Sequence, residues 1–261
     1  MPTLQELCLA IEDKFPLHYQ EEWDNSGLQC GNRGQTVTDV LVALEVTPAV
    51  LNEAIALGCQ AIVTHHPILF RPPKCISDDE EVTRMLRIAI RHDIAIYSAH
   101  TTIDNAPNGI NKLLADKLGL LESRILCPLQ AHPEAGGGIA ARLPQALTAG
   151  QLVELTKQRL NVQQIIFGGD TNKLVTTVGI CSGAGAFMAA EATAQQLDAF
   201  ITSDIKHHDY RDAENKILLI DAGHYETEIF IKQILFDVIS QKNRNFALHI
   251  ANSEVPPRYF K

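Results

Sequence analysis

The stretch VLVALEVTPAVLNEAIALGCQAIVTHHP, Val40–Pro67, decides the fold class. Val40–Val46 is dominated by apolar residues and reads as a buried strand. Thr47–Leu57 follows as a helix, with Pro48 in its first turn and Gly58 just past its end. Ala61–Val63 is a second short apolar strand. A strand–helix–strand unit of this length joins parallel strands through a right-handed crossover. The same rhythm extends outward. Upstream, Thr3-Leu-Gln-Glu6 is a capping box that opens an amphipathic helix to about Phe15. Downstream, Asp78–His92 has helical apolar spacing, Ile94–Tyr97 is a strand, and Gly109–Leu118 is a helix ending at Gly119. Alternation of this kind predicts an α/β fold with mostly parallel sheets.

After Cys127 the texture changes. Pro128, Pro133 and Gly136-Gly137-Gly138 mark a boundary, because Gly and Pro interrupt regular structure most strongly. A second series follows: Gly138–Leu143, Ala149–Leu160, Val162–Phe167, Val175–Cys181, Phe187–Leu197 and Phe200–Thr202. Ile217–Ile220 is then a strand, Glu226–Ile239 a helix and Ala247–Ile250 a last strand.

The chain has 261 residues, 46% of them hydrophobic and 20% charged, enough apolar material to bury a core. Twenty-two Lys and Arg against 31 Asp and Glu give a formal net charge of −9. That balance argues against a nonspecific nucleic-acid grip, which needs clustered cations. No apolar run approaches the ~20 residues of a membrane span. The N-terminal MPTLQELCLAIEDKF is acidic where a signal peptide is basic, so the expectation is a cytoplasmic protein with no membrane attachment. The six cysteines are scattered without a Cys-x-x-Cys pair, and most of them read as small buried hydrophobes, not as a disulfide framework, a zinc ribbon or a nucleophile.

The chemistry sits at the strand ends. Ala61–Val63 runs into Thr64-His65-His66-Pro67, and Ile94–Tyr97 into Ser98-Ala-His100-Thr-Thr-Ile-Asp104. Phe200–Thr202 runs into Ser203-Asp204-Ile-Lys-His207-His208, and Ile217–Ile220 into Asp221-Ala-Gly223-His224-Tyr-Glu226-Thr-Glu228. In open α/β sheets the carboxyl edge is where ligands bind. Imidazole with carboxylate is the donor mixture of Zn, Fe, Mn, Co or Ni sites, whereas all-oxygen sets suit Mg or Ca. His224 and Glu228 are four apart near the start of a helix and share one face. Adjacent His65 and His66 diverge on extended backbone and can serve two ions, with Asp104 as the natural bridge. His100 and His208 are second groups around such a site or its general acid and base. His18, His92, His132 and His249 have no carboxylate at ligand spacing and read as structural, and His207 reads as a surface neighbour of His208.

Other motifs are weaker. Gly27-Leu-Gln-Cys-Gly31-Asn-Arg-Gly34 lacks the strand-to-helix context of a dinucleotide fingerprint. Gly179-Ile-Cys-Ser-Gly183-Ala-Gly185 is a tight strand-to-helix turn, or else a backbone cradle for an anion. No Gly-x-Ser-x-Gly elbow is present.

Five ordered segments resemble the Nif-three-like family, whose bacterial members are labelled GTP cyclohydrolase I type 2 homologues. They are Glu22–Leu28 (EWDNSGL), Thr64–Pro67, Ser98–Asp104, Thr202–His208 and Gly223–Glu228. The resemblance covers nearly the whole chain. It implies two α/β domains, the second inserted into the first: a metal-binding domain of residues 1–127 plus 216–261, and a smaller one of residues 128–215. It also implies a toroidal homohexamer and a dinuclear metal centre with His65, His66, Asp104, His224 and Glu228 as ligands to two divalent ions per subunit. Asp24, His100, Asp204 and His208 match the family's pocket-lining polar residues, with Asp24 and Asp204 expected to meet substrate. Thr202-Ser203-Asp204 departs from the usual Thr-Gly-Asp, so Ser203 restricts a position that Gly leaves free.

The expectation is a metal-dependent hydrolase using a metal-bridging hydroxide, with His100 or His208 moving the proton and a small molecule as substrate. The cyclohydrolase label would require hydrolytic opening of a purine ring at C8, and no residue pattern here reads guanine. The alternative is a metal-dependent ligand-binding or regulatory protein without turnover. A purely structural zinc site ranks below both, because a chain this apolar folds without one.

Overall fold

The computed structural model describes residues 1–242 and 245–258. Strands and helices in chain order are α1 (Leu4–Glu12), β1 (Gly27–Cys30), β2 (Asp39–Val42), α2 (Pro48–Leu57), β3 (Ala61–Thr64), α3 (Glu81–Arg91), β4 (Ala95–Ser98), α4 (Thr101–Asp104) and α5 (Ile110–Lys117). Next come β5 (Leu121–Pro128), β6 (Gly136–Thr148), α6 (Ala149–Arg159), β7 (Ile166–Gly168), β8 (Leu174–Ile180), α7 (Ala189–Ala194), β9 (Ala199–Thr202) and α8 (His207–Ala213). The series ends with β10 (Leu218–Asp221), α9 (His224–Glu228), α10 (Ile231–Lys242) and β11 (Ala247–Ile250). No helix among the described residues is long and apolar enough to cross a membrane.

Two compact α/β units result. The first takes Met1–Ile103 and Phe230–Pro256. Its sheet has the order β1-β4-β3-β2-β11. All neighbours are parallel except the edge pair β1 and β4. The stretch Val40–Pro67 forms the expected strand–helix–strand unit, except that its first strand ends at Val42 and not at Val46. Thr47 Oγ1 accepts from Val50 N at 3.1 Å, Pro48 opens α2, and Gly58 closes it at φ +70. Leu41, Ile62 and Ile96 alternate onto one face of the sheet and pack with Val50, Leu51, Ala54, Met85, Leu86 and Ala89 of α2 and α3. Each fully buried Leu or Ile there contributes about 1.5–3 kcal/mol. The capping box at α1 also forms, with Thr3 N donating to Glu6 Oε2 at 2.7 Å. Gly27–Cys30 is an edge strand of this sheet.

The second unit takes Asp104–Ile229 together with Pro257 and Arg258. Its sheet has the order β5-β6-β8-β9-β10-β7. Only β8, β9 and β10 run parallel to each other, and the remaining pairs are antiparallel, so this sheet is mixed and not mostly parallel as the sequence reading expects. The unit borders fall at 103/104 and 229/230, whereas the sequence reading draws them at 127/128 and 215/216. The physical reason lies in pairing. The Pro- and Gly-rich tract is the turn of a hairpin, in which β5 and β6 register from Leu121 opposite Arg142 to Pro128 opposite Gly136. The apolar alternation that would reveal β5 is missing because this edge strand is largely exposed. In the same way β10 pairs with β9 and β7 and so belongs to the second sheet. The helix expected at Glu226–Ile239 divides into α9 and α10.

Candidate metal centre

In the first unit, buried β3 delivers His65 and His66 at its carboxyl end. Both backbone N–H groups donate to Leu44 O, at 3.0 and 2.9 Å, which ties the turn to the segment after β2. His65 is fully buried and its Nδ1 lies 3.0 Å from Ala99 O. A carbonyl only accepts, so Nδ1 carries a hydrogen there and Nε2 is the ring nitrogen turned away from that bond. The end of β4 supplies His100. Its backbone N–H donates to Ser26 Oγ at 3.1 Å, and Nδ1 lies 2.7 Å from Asp24 Oδ1. The ring centroids of His65 and His66 are 4.9 Å apart, those of His65 and His100 5.0 Å, and those of His66 and His100 5.7 Å. One ring nitrogen from each of the three lies within 4.8 Å of the others.

Asp24 belongs behind His100 and not at its open side. The side chain is fully buried. Besides His100 it accepts from Ser26 Oγ (2.8 Å), Thr101 N (3.1 Å), Thr101 Oγ1 (2.5 Å) and Asn25 N (2.7 Å). Burial opposes its ionisation, but the His100 hydrogen bond and charge, with the Thr101 and Ser26 hydroxyls, hold the carboxyl well below the usual carboxylate range. A buried carboxylate on the rear nitrogen of an imidazole fixes its tautomer and orientation. The role this geometry gives Asp24 is orientation of His100, which differs from the substrate contact the resemblance implies.

In the second unit, β10 delivers His224 as the first residue of α9, and Glu228 follows one turn later and is buried. His224 Nδ1 lies 2.7 Å from Asp204 Oδ2, and Nε2 lies 2.9 Å from Glu228 Oε2. Arg258 Nη2 donates to Asp204 Oδ1 at 2.8 Å. Burial works against a charged His224, yet the Glu228 and Asp204 carboxylates overcome it and push the imidazole up to about 9. Asp204 is lowered: burial opposes the shift, and Arg258 and His224 outweigh it. An imidazole between two carboxylates is a seat for positive charge, and Nε2 with a Glu228 oxygen is a donor set that suits a divalent transition metal.

The loop after β8 supplies residues the sequence reading missed as site components. Ser182 Oγ donates to Asp104 Oδ1 at 3.5 Å. Gly183, at φ +58, lies so close to Glu228 that a Cβ would stand 2.1 Å from Oε1. Gly183 N donates to Thr227 Oγ1 at 3.0 Å, Gly185 N to Thr202 Oγ1 at 2.9 Å, and Ser182 N to Asn111 Oδ1 at 2.7 Å. With these N–H groups on side chains, the loop is the tight turn and not the anion cradle. Its glycines following a strand were the signal, but the partner they make room for is 45 residues away in sequence, at Glu228. Ser203 replaces the family glycine without positive φ, and its hydroxyl donates to Gly183 O at 2.5 Å.

Of the remaining sequence candidates, His208 is exposed on α8, 5.5 Å ring to ring from His207, and stands outside the His224–Asp204–Glu228 cluster. Cys8, Cys59 and Cys181 are buried. Burial pushes the Cys8 and Cys59 thiols up to about 11. The Cys181 thiol also rises, through burial and then the nearby Asp104 and Glu228 charges, so none is a ready nucleophile. Cys75 is exposed.

Comparison with known proteins agrees with this architecture. The chain is 33% identical over 264 residues to a GTP cyclohydrolase 1 type 2 homolog of Clostridium acetobutylicum, covering 99% of this chain and 98% of that protein. A Bacillus cereus protein related to NIF3 superposes with a TM-score of 0.91 at 25% identity, over 100% of this chain and 99% of its own. Staphylococcus aureus protein SA1388 gives 0.90 at 26% identity, over 100% and 99%. The profile of the Duf34/NIF3 (NGG1p interacting factor 3) family matches residues 2–258. The chain belongs to the Duf34/NIF3 family.

Proposed function

We propose that the chain is a metal-dependent hydrolase that holds two divalent ions on His65, His66, Asp104, His224 and Glu228. The observation that carries the reading is the anchoring of the imidazoles. His65 and His224 each commit Nδ1 to a fixed oxygen, of Ala99 and Asp204 respectively. That leaves Nε2 as the donor nitrogen, the arrangement in which protein histidines bind metals. Two divalent ions, when bound, supply Lewis acidity and bring the pKa of water towards neutrality. The chain's own groups then have separate tasks. Asp24 holds His100 in one tautomer, so that Nε2 can take a proton from, or return one to, a reacting group beside it. Ser182 and Gly183 position Asp104 and Glu228, and Asp204 with Arg258 positions His224. The imidazole-rich donor set supports Zn, Fe, Mn, Co or Ni over Mg or Ca.

A substrate screen starts with GTP and other purine nucleotides, because the Clostridium acetobutylicum relative is named a GTP cyclohydrolase 1 type 2 homolog. A toroidal homohexamer in the cytoplasm belongs to the same proposal. Exposed Leu121, Ile166, Leu174 and Phe187 in the second unit support contacts between copies. Elemental analysis of protein purified without a His tag, beside Asp104→Ala, tests the metal reading. About two ions per chain that fall in the variant support it, and one or none, unchanged by the substitution, sinks it. Turnover on a panel of nucleotides, phosphoesters and amides by the metal-loaded protein then separates a hydrolase from a metal-dependent binding protein, which would bind without forming product.

A further inference from the structure

We propose that Trp23 and Phe70 form a stacking seat for a planar heteroaromatic ring beside His100, so that the ligand of this protein is a flat-ring compound and not an aliphatic one. The inference deepens the metal-centre reading and rests on it for the identity of the neighbouring chemistry.

Three observations carry it. Trp23 is 57% exposed and Phe70 45% exposed, although either side chain would contribute favourably if buried. Their rings are nevertheless not scattered: they lie 6.0 Å apart at 67°, and each is 6.0 Å from the His100 ring, at 76° and 84°. The rings meet edge to face, so they do not stack on one another, and the half-exposed indole is open to a third ring. The segments that carry them are also stapled. Asn25 Nδ2 donates to Leu69 O at 2.8 Å, Leu69 N donates to Gln29 Oε1 at 3.3 Å, and Gln29 Nε2 donates to Asn25 O at 2.6 Å. Asp24, next to Trp23, is fixed by its bonds to His100, Ser26 and Thr101. Two exposed aromatic rings on braced segments are a preorganised surface.

The chemistry selects the occupant. Flat π-systems stack on indole and phenyl rings irrespective of their detailed hydrogen-bonding pattern, so such a seat accepts a ring without needing residues that read guanine. A heteroaromatic ring also places ring nitrogens or carbonyls within reach of a histidine already oriented by Asp24.

Trp23 is the only tryptophan of the chain, so its fluorescence reports on the seat directly. The experiment titrates metal-loaded protein with guanosine and, separately, with ribose. Calorimetry repeats the guanosine titration on Trp23→Leu and Phe70→Ala, and metal content is measured on every sample. The expected result is saturable quenching by guanosine and none by ribose. Each variant should bind guanosine roughly tenfold or more weakly, the scale on which removal of a stacking aromatic acts, with metal content unchanged. Saturable guanosine binding without any change in Trp23 emission overturns the proposal, as does a Trp23→Leu variant that binds like the parent. No guanosine binding by fully metal-loaded protein overturns it while leaving the metal reading intact. Trp23 emission that shifts with protein concentration alone assigns the surface to a second copy and also overturns it. Quenching by guanosine in wild-type protein that binds no metal supports the seat and defeats the metal reading instead.

Discussion

Replacing Gly183 with alanine should separate the backbone from the site. A Cβ there would lie 2.1 Å from Glu228 Oε1 and 3.1 Å from its Cδ, so the buried carboxylate must retreat by roughly 1 Å to restore ordinary contact. That movement loosens the 2.9 Å pair between Glu228 Oε2 and His224 Nε2, a charge-assisted contact of about 1.5–3 kcal/mol. A left-handed backbone adds about 1–2 kcal/mol for any residue with a Cβ. Gly119 supplies the control. It sits at φ +71 in the same unit with nothing within 4 Å of an added Cβ, so Gly119→Ala carries the backbone cost alone. Gly183→Ala should therefore melt lower than Gly119→Ala by about 3–12 °C, taking roughly 2–4 °C per kcal/mol at this chain length. The His224 imidazole, pushed up to about 9 in the parent by Glu228 and then Asp204, should titrate lower when followed by NMR, because its contact with the Glu228 carboxylate is loosened. Metal affinity should fall on the order of 10–100-fold. Equal melting temperatures for the two alanine variants, with an unchanged His224 titration, would refute the packing argument.

Asp24→Asn keeps the shape but removes the charge that His100, Ser26 and Thr101 address. It should lower the melting temperature by several degrees, from a loss of about 1.5–3 kcal/mol, and a variant as stable as the parent would contradict the burial argument. Asp198 accepts from the backbone and hydroxyl groups of both Thr176 and Thr177 at 2.8–3.1 Å, which lowers its pKa despite partial burial. A depressed carboxylate contributes stability above its unfolded pKa of about 3.9 and loses it as pH falls through the folded value. Denaturant titrations of the parent and Asp198→Asn should therefore differ at neutral pH and converge in acid. Lys232 and Glu254 form a 2.9 Å pair with side chains only 12% and 4% exposed, and Glu254 also accepts from Leu44 N and Glu45 N. Lys232→Met should cost about 3–5 kcal/mol by leaving that carboxylate without its cation, and adding Glu254→Gln should recover part of the loss in chemical denaturation.

Local order was written plainly in the chain. Thr3 with Glu6, Thr47 with Pro48 and Gly58, and the apolar runs at residues 61–63 and 217–220 fix helix ends and buried strands within a few residues of themselves, so composition and spacing suffice to find them. The five ordered motifs were likewise local, and they carried the family and the candidate ligands. What escaped depends on partners distant in sequence. β5 is nearly invisible because an exposed edge strand has no apolar alternation, and it exists because β6 offers it a ladder. The same pairing turned an apparent border at Pro128–Gly138 into a hairpin, and pairing with β9 and β7 drew β10 into the second sheet.

At the site the division is the same. Residue type and strand-end position were enough to nominate His65, His66, Asp104, His224 and Glu228. Roles were decided by three-dimensional neighbours: Asp24 became the buried brace of His100 across 76 residues, and Arg258 the partner of Asp204 across 54. Gly183 became the residue that makes room for Glu228. A sequence records which groups a chain carries to its strand ends. Which nitrogen of a histidine faces outward depends on the acceptor behind it, and that acceptor is chosen only when the chain folds.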